Sequence, residues 1–193
     1  MAAGTGGHVF PALSIVESLR KQSVNVEWLG TPSGMENSLL AATDIPLHQI
    51  SIKGLRGSGL VRKLTSPFML CMAFFQSFNV IRRVRPDCVL GMGGFICGPA
   101  GLAAKLLRKP LLIHEQNAVA GLTNNLLSKV STKVFEAFPN TFNEQVNAVH
   151  TGNPLRAEIF NIDKAEVEVN SNSMLKLLVL GGSQGSASIN KVI

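Results

Sequence analysis

The sequence predicts an α/β fold built on a Rossmann-like parallel sheet, and three observations carry that expectation. Short apolar runs alternate with helix-length segments along the whole chain, as they do when strands are buried on both faces by crossover helices. Nearly every glycine-rich turn follows a strand-like run, at the sheet end where ligands collect in such folds. Apolar residues make up 46% of the 193 residues and charged residues 16%, a balance that favours a packed core over a disordered chain.

Residues 1–3 read as the tail of a strand that enters the turn Gly4-Thr5-Gly6-Gly7-His8. A helix follows, with Pro11 in its first turn and Ala12, Ile15, Val16 and Leu19 on one face. Residues 24–29 alternate like a strand, with Trp28 inside the run, and a further short strand is expected near Ile50 and Ile52. A loop rich in glycine and basic residues covers 53–63. Ser66-Pro67 marks a helix start, because serine can cap and proline suits the first helical position. Pro86 stops that helix near Arg85. Residues 88–90 form a strand leading into Gly91-Met92-Gly93-Gly94, and residues 98–108 a helix. Residues 111–113 form a strand that ends at His114-Glu115-Gln116-Asn117. Residues 121–129 read as helix, 133–135 as strand, and 149–151 lead into Gly152-Asn153-Pro154. Residues 161–173 are polar and acidic, the expected linker. Residues 175–180 then open a new strand, followed by Gly181-Gly182-Ser183-Gln184-Gly185. The domain expectation is therefore 1–160, a linker at 161–173, and the start of a second domain at 174–193, with both chain ends looking truncated.

The helix at residues 67–84 is apolar nearly all round. Steps of 100° put Phe68, Met72 and Phe75 on one side and Leu70, Phe74 and Ile81 on the other. One apolar face packs on the sheet; a second needs another partner. Lys53, Arg56, Arg62 and Lys63 precede the helix, and Arg82, Arg83 and Arg85 follow it. Apolar surface edged by cations suits an anionic membrane surface; the competing reading is a helix buried on both sides.

The net charge of +6 suits an anionic partner without choosing between nucleic acid, phosphorylated substrate and membrane. Tyrosine is absent and there is one tryptophan, so the exposed aromatics used by single-strand binders are lacking, and no nucleic-acid partner is expected. Cys71, Cys88 and Cys97 form no C-x-x-C pair and lie in apolar segments, which reads as buried free thiols in a reducing compartment. No signal peptide precedes the first turn, and no run reaches the roughly 18 to 20 apolar residues of a membrane span; a cytoplasmic location follows. The histidines have no i, i+4 pairing, and Asp44, Asp87 and Asp163 make no D-x-D pair. No metal and no cofactor are expected.

The glycine turns share an anion-binding logic. Glycine lets the backbone approach a phosphate, and the free N–H groups and positive dipole of the next helix stabilise its charge. One such turn alone can equally serve tight packing. The first turn fails the dinucleotide fingerprint, since Val9 stands at the third glycine position, and Glu27 falls inside its strand instead of at the end. His8 follows the first turn at a helix start, where the positive helix end disfavours imidazolium. A neutral His8 could accept a proton from an attacking hydroxyl, or could simply hydrogen-bond the loop. The cluster His114-Glu115-Gln116-Asn117 reads as a ligand rim or a capped turn. Arg156 could pair with an anion by its fork or be a surface charge.

Taken together, Ala3-Gly4-Thr5-Gly6-Gly7-His8-Val9-Phe10-Pro11-Ala12, Gly91-Met92-Gly93-Gly94-Phe95, His114-Glu115-Gln116-Asn117, Thr151-Gly152-Asn153-Pro154-Leu155-Arg156 and Gly181-Gly182-Ser183-Gln184-Gly185 resemble, in order, the MurG family of N-acetylglucosaminyltransferases that make lipid II for bacterial cell walls. The resemblance implies the N-terminal half of a GT-B fold, with an acceptor-binding domain at 1–160 and a donor-binding domain opening at 174. It implies transfer of N-acetylglucosamine from UDP-N-acetylglucosamine to lipid I with inversion, at the cytoplasmic face of the inner membrane, on a peripheral protein. By motif position, Thr5, Gly6, Gly7, Asn117, Arg156 and Ser183 match donor contacts, His8 the proposed general base or acceptor-site residue, and Gly93 and Gly94 the loop at the acceptor's pyrophosphate. Two readings compete: a nicotinamide-dependent oxidoreductase, disfavoured by the absent third glycine, and a non-catalytic anion-binding or membrane-docking module.

Overall fold

The computed structural model describes residues 1–52 and 60–160, with the side chains of residues 60–65, 157 and 160 left aside. Lys53 and Arg56, the linker at 161–173, the segment 174–193 and Ser183 lie outside the described residues, as do the side chains of Arg62 and Lys63.

Every strand pairing among the described residues is parallel, as expected. β1 (Trp28–Gly30) pairs with β2 (Leu47–Gln49). A second sheet runs β3 (Val89–Gly91), β4 (Leu111–Glu115), β5 (Lys133–Glu136) and β6 (Val149–His150), in chain order. α1 (Gly6–Lys21) precedes β1, α2 (Glu36–Leu40), α3 (Leu60–Val84), α4 (Cys97–Leu106) and α5 (Leu122–Ser128) connect the strands that follow, and α6 (Ala157–Phe160) comes after β6. Residues 1–3 join no ladder but run beside β3. The Met92 N–H donates to the Met1 carbonyl at 3.0 Å, and the Trp28 indole N–H donates to the Ala2 carbonyl at 2.8 Å.

The apolar periodicity is satisfied on two sides. Val9, Ala12 and Val16 of α1 pack with Trp28, Leu40, Ile45 and Met92. Ala73 and Ile81 of α3, Ala100, Ala103 and Ala104 of α4, and Leu127 of α5 pack with Leu111 and Ile113 of β4. Small residues let α4 lie close to its neighbours. A Cβ at Gly101 would come within 2.9 Å of Leu127. Ile113 is fully buried, so truncation to alanine there should cost about 2–5 kcal/mol.

Several boundaries differ from the sequence expectation, each for a physical reason. β1 starts at Trp28, not residue 24, because its ladder partner begins at Leu47, opposite Trp28. The next strand lies at 47–49, and Ile50 and Ile52 are buried just beyond it. α1 begins at Gly6, so Gly6, Gly7 and His8 form its first turn and Pro11 stands inside the helix. The N–H that Pro11 lacks would have bonded the carbonyl of Gly7, an exposed residue that water can reach. α3 begins at Leu60 and carries Pro67 inside it. It ends at Val84 as expected, with Arg85 left-handed at φ 53° before Pro86.

The three cysteines are not all buried. Cys97 is, but Cys71 and Cys88 are exposed. Cys71 shares the outward stripe of α3 with Phe68, Met72 and Phe75, at helical spacing. Leu70, grouped by the helical steps with Phe74 and Ile81, is also exposed, while Met69, Phe74 and Ile81 pack inward.

Candidate functional site

The first glycine turn becomes a helix start with an unusual cap. Gly4 is at φ 97°, a conformation that favours glycine, and Thr5 is extended at the N-cap position. The Thr5 hydroxyl makes no cap bond to the helix backbone. It pairs instead with His8 Nδ1 at 3.2 Å. Gly6 and Gly7, at the first two helical positions, keep N–H groups without intrahelical acceptors, at the positive end of α1.

The second glycine turn lies directly against His8. Gly93 and Gly94, between β3 and α4, have φ of 88° and 78°. A Cβ at Gly93 would stand 3.1 Å from His8 Cδ2 and 3.2 Å from His8 Nε2. Both backbone conformation and space therefore require glycine at 93. The thiol of Cys97 donates to the Gly93 carbonyl at 2.9 Å and holds the turn from behind. His8 is half-buried. Burial pushes its pKa below the ordinary imidazole value, partly opposed by the negative charge of Glu115. The expected neutrality of His8 thus rests on desolvation.

β4 carries His114 and Glu115 inside its last turns of ladder instead of beyond them. The buried Glu115 carboxylate accepts four N–H groups: Asn117 N at 3.1 Å, Asn117 Nδ2 at 2.7 Å, Gly121 N at 3.1 Å and Asn124 Nδ2 at 3.0 Å. His114 Nε2 lies 3.0 Å from the Gly152 carbonyl and Nδ1 3.0 Å from the Gln116 amide nitrogen. One tautomer satisfies both: Nε2–H donates to Gly152, and Nδ1 accepts from Gln116. Burial lowers the His114 pKa, with the Gly152 hydrogen bond and Glu115 opposing. Asn153 Nδ2 donates to the Gln116 carbonyl at 3.1 Å, so the 152–154 segment is tied to the end of β4.

These elements border one open cleft of about 430 Å³, whose lining includes Gly6, Gly7, Phe10, Gln116, Asn117 and Arg156. The Arg156 guanidinium carbon lies 5.2 Å from the centroid of the Phe10 ring. Of the residues singled out from sequence, Gly6, Gly7, Asn117 and Arg156 line this cleft. Thr5 and His8 are joined to each other, and His8 reaches Gly93 and Gly94. Ser183 lies outside the described residues. A cavity of similar size, about 450 Å³, sits at the other end of α1 between Leu13, Arg20 and Ile45 and holds none of the candidate residues. The glycine cleft is the better site on chemistry, since free helix N–H groups, amides and a guanidinium converge there. Sequence reasoning missed Phe10, Asn124 and the hub role of Glu115. The available signal was an acid placed at the end of an apolar strand, where burial demands partners. Among the described residues no group of three or more His, Cys, Asp or Glu side chains is placed to hold a metal ion.

Comparison with known proteins bears on the fold and the family. A family model, the glycosyltransferase family 28 N-terminal domain, matches residues 1–136. The chain is 50% identical over 192 residues to a Marinobacter nauticus protein named UDP-N-acetylglucosamine--N-acetylmuramyl-(pentapeptide) pyrophosphoryl-undecaprenol N-acetylglucosamine transferase, covering 99% of this chain and 53% of the relative. An Acinetobacter baumannii (strain ACICU) protein of the same name is 49% identical over 198 residues, with the same coverage. The chain therefore spans about half the length of the curated relatives it matches. Among solved structures, Acinetobacter baumannii MurG superposes with a TM-score of 0.69 at 49% identity, over 81% of this chain and 44% of that one. A UDP-N-acetylglucosamine 2-epimerase from Rickettsia bellii superposes with a TM-score of 0.57 at 10% identity, over 78% and 43%, a likeness of fold alone. With the family model covering most of the chain, the chain belongs to glycosyltransferase family 28, through the N-terminal domain of that family.

Proposed function

We propose that this chain serves an inverting glycosyltransferase that moves N-acetylglucosamine from UDP-N-acetylglucosamine to the muramyl sugar of lipid I, forming lipid II in peptidoglycan synthesis. The observation that carries the reading is the meeting of the two glycine turns at His8. It would put a base between a diphosphate-binding helix start and the turn assigned to the acceptor's pyrophosphate, Gly93 and Gly94. The relatives' names support the choice of substrates.

In this mechanism the acceptor hydroxyl attacks the anomeric carbon from the face opposite UDP. The O–C bond forms as the C–O bond to the diphosphate breaks, and His8 takes the hydroxyl proton. Nδ1–H donated to Thr5 Oγ1 leaves the lone pair on Nε2, the ring atom beside Gly93. The N–H groups of Gly6 and Gly7, with Arg156, compensate the charge on the leaving diphosphate. Asn117, fixed by Glu115, contributes a donor contact, and Ser183 another.

The test is His8→Ala in a protein of the relatives' full length that carries this chain. Turnover should fall about 10²- to 10⁴-fold, the usual contribution of a positioned base, with donor affinity much less affected. Near-normal turnover at saturating acceptor would remove His8 from the chemistry.

Peripheral docking on the anionic cytoplasmic face of the membrane belongs to the same proposal. What supports it is the outward face of α3, where Phe68 is 75% and Phe75 58% exposed. Among the described residues no helix is long and apolar enough to cross a membrane.

A further inference from the structure

We propose that Phe10 is a positioning residue: its ring face holds the Arg156 guanidinium over the first turn of α1, so that the cation and the free N–H groups of Gly6 and Gly7 act as one phosphate clamp. The inference rests on the glycosyltransferase reading for the identity of the phosphate, a nucleoside diphosphate, but its geometry stands on the cleft alone.

Arg156 is exposed, and among the described residues its side chain has no carboxylate partner and no hydrogen-bond acceptor. The contact that orients it is the Phe10 ring, 5.2 Å from its guanidinium carbon, a cation–π distance. The ring is itself fixed from behind. A Cβ at Gly6 would meet Phe10 Cε2 at 3.0 Å and Cδ2 at 3.1 Å, so the missing side chain of Gly6 makes the seat in which the ring lies. Gly6 is helical with negative φ, so its need for glycine comes from this seat and not from backbone conformation. Phe10 stands one helical turn after Gly6. A cation stacked on its ring therefore sits beside the N-terminal turn, where the N–H groups of Gly6 and Gly7 have no intrahelical acceptor. A second feature lies in the wall of the same cleft. Gln116, a lining residue only 8% exposed, has a carboxamide oxygen without a partner among the described residues. Its amide nitrogen is committed to the His114 ring and the His114 carbonyl, so rotating the amide does not cure the vacancy.

A long arginine on a surface segment loses rotamer freedom when it binds an anion. A ring that pre-orders it reduces that loss and raises affinity for the phosphates alone. The nucleoside should not sense the ring. This separates a clamp from a merely structural phenylalanine, whose loss would weaken every ligand of the cleft together.

The experiment measures calorimetric binding of UDP, uridine and inorganic pyrophosphate to a protein of the relatives' full length carrying this chain. Phe10→Leu should weaken UDP and pyrophosphate about two- to tenfold and leave uridine unchanged. Phe10→Tyr should restore the affinity. In an Arg156→Ala background, Phe10→Leu should add no further loss. Should Phe10→Leu not fold, Phe10→Met is the non-aromatic replacement of similar volume. Equal losses for UDP and uridine, additive losses with Arg156→Ala, or no loss at all would overturn the proposal. If the unaltered protein binds pyrophosphate but not UDP, the glycosyltransferase reading fails while the pyrophosphate arm still decides the clamp. Failure to bind pyrophosphate overturns the clamp itself.

Discussion

The Glu115 carboxylate receives four N–H groups from three residues, all on the segment that follows β4. Such an acceptor cannot be replaced by its own amide. In Glu115→Gln the new NH₂ would face donors, and leaving buried donors unpaired costs about 1–3 kcal/mol. We expect that loss in chemical denaturation. A weakened donor affinity should accompany it, because the Asn117 side chain is held at 2.7 Å by this carboxylate. The histidines beside it give a pH signature. Burial lowers the pKa of both His8 and His114 from the ordinary 6.5. As pH falls below 6.5, the unfolded imidazoles take up protons before the folded ones. The unfolded state then binds more protons, and stability declines through that window; above it the contribution is constant. Denaturation midpoints measured from pH 8 to pH 5 should therefore drop on the acid side, and the drop should shrink in His114→Gln. The same burial keeps His8 unprotonated to lower pH, so the acid limb of kcat/KM should have its midpoint below 6.5. An acid limb above 6.5 that disappears in His8→Ala would contradict the desolvated base.

The glycine turn between β3 and α4 makes a sharper test, because two separate constraints fall on one residue. Gly93→Ala places a side chain at φ 88° and within 3.1 Å of His8. We expect a cost of about 1–3 kcal/mol from the backbone, and a fall in turnover with donor binding retained, as the ring is displaced. Gly98→Ala, inside α4 and only in ordinary contact with Thr123 at 3.7 Å, should be neutral or slightly stabilising and serves as the control. This turn also marks what sequence could and could not disclose. The glycine turn at Gly93 and Gly94 was legible because a run of glycines directly after a strand-like segment is a local signal. That the His8 ring occupies the space they leave was not, since it joins residues far apart in the chain. The start of β1 was misread for a related reason: residues 24–29 alternate throughout, but a ladder begins where its partner does, at Leu47. The seat of Phe10 on Gly6 was equally hidden, because Gly6 reads as part of a phosphate turn and nothing local says that an aromatic ring fills its place. Parallel pairing, the α4 and α5 segments and the end of α3 before Pro86 were readable because periodicity and proline act locally.

Seen as a whole, the domain keeps its polar cleft at the start of α1 and a broad apolar face on α3. Along α3 the residues Phe68, Cys71, Met72, Phe75, Asn79 and Arg82 recur at helical spacing, and all are exposed. Ala73, Ser77 and Ile81 turn inward. α4 packs against α3 and carries Leu102 and Leu106, 55% and 64% exposed. Lys105, Arg108 and Arg85 are exposed nearby in sequence. A face of this kind gains twice at an anionic bilayer, from apolar burial and from the attraction of its cations. Burying a phenylalanine fully is worth about 1.5–3 kcal/mol, and each 1.4 kcal/mol is about tenfold in partitioning. We therefore expect a full-length protein with this chain to co-sediment with phosphatidylglycerol vesicles, and Phe68→Ser with Phe75→Ser to weaken that binding by about tenfold or more. Phe75 stacks edge-on against Phe74, so a thermal melt must accompany the double variant, and Phe68→Ser alone is the milder form. Arg82→Glu or raised salt should weaken binding without touching turnover on a soluble acceptor analogue. Arg83 is a poorer choice, because its guanidinium lies 3.2 Å from His48 Nδ1 and its loss would disturb that contact. Equal binding to neutral and anionic vesicles, unchanged by salt and by Arg82→Glu, would leave the cations without a docking role. Undiminished binding of Phe68→Ser with Phe75→Ser would place the membrane contact elsewhere on the protein.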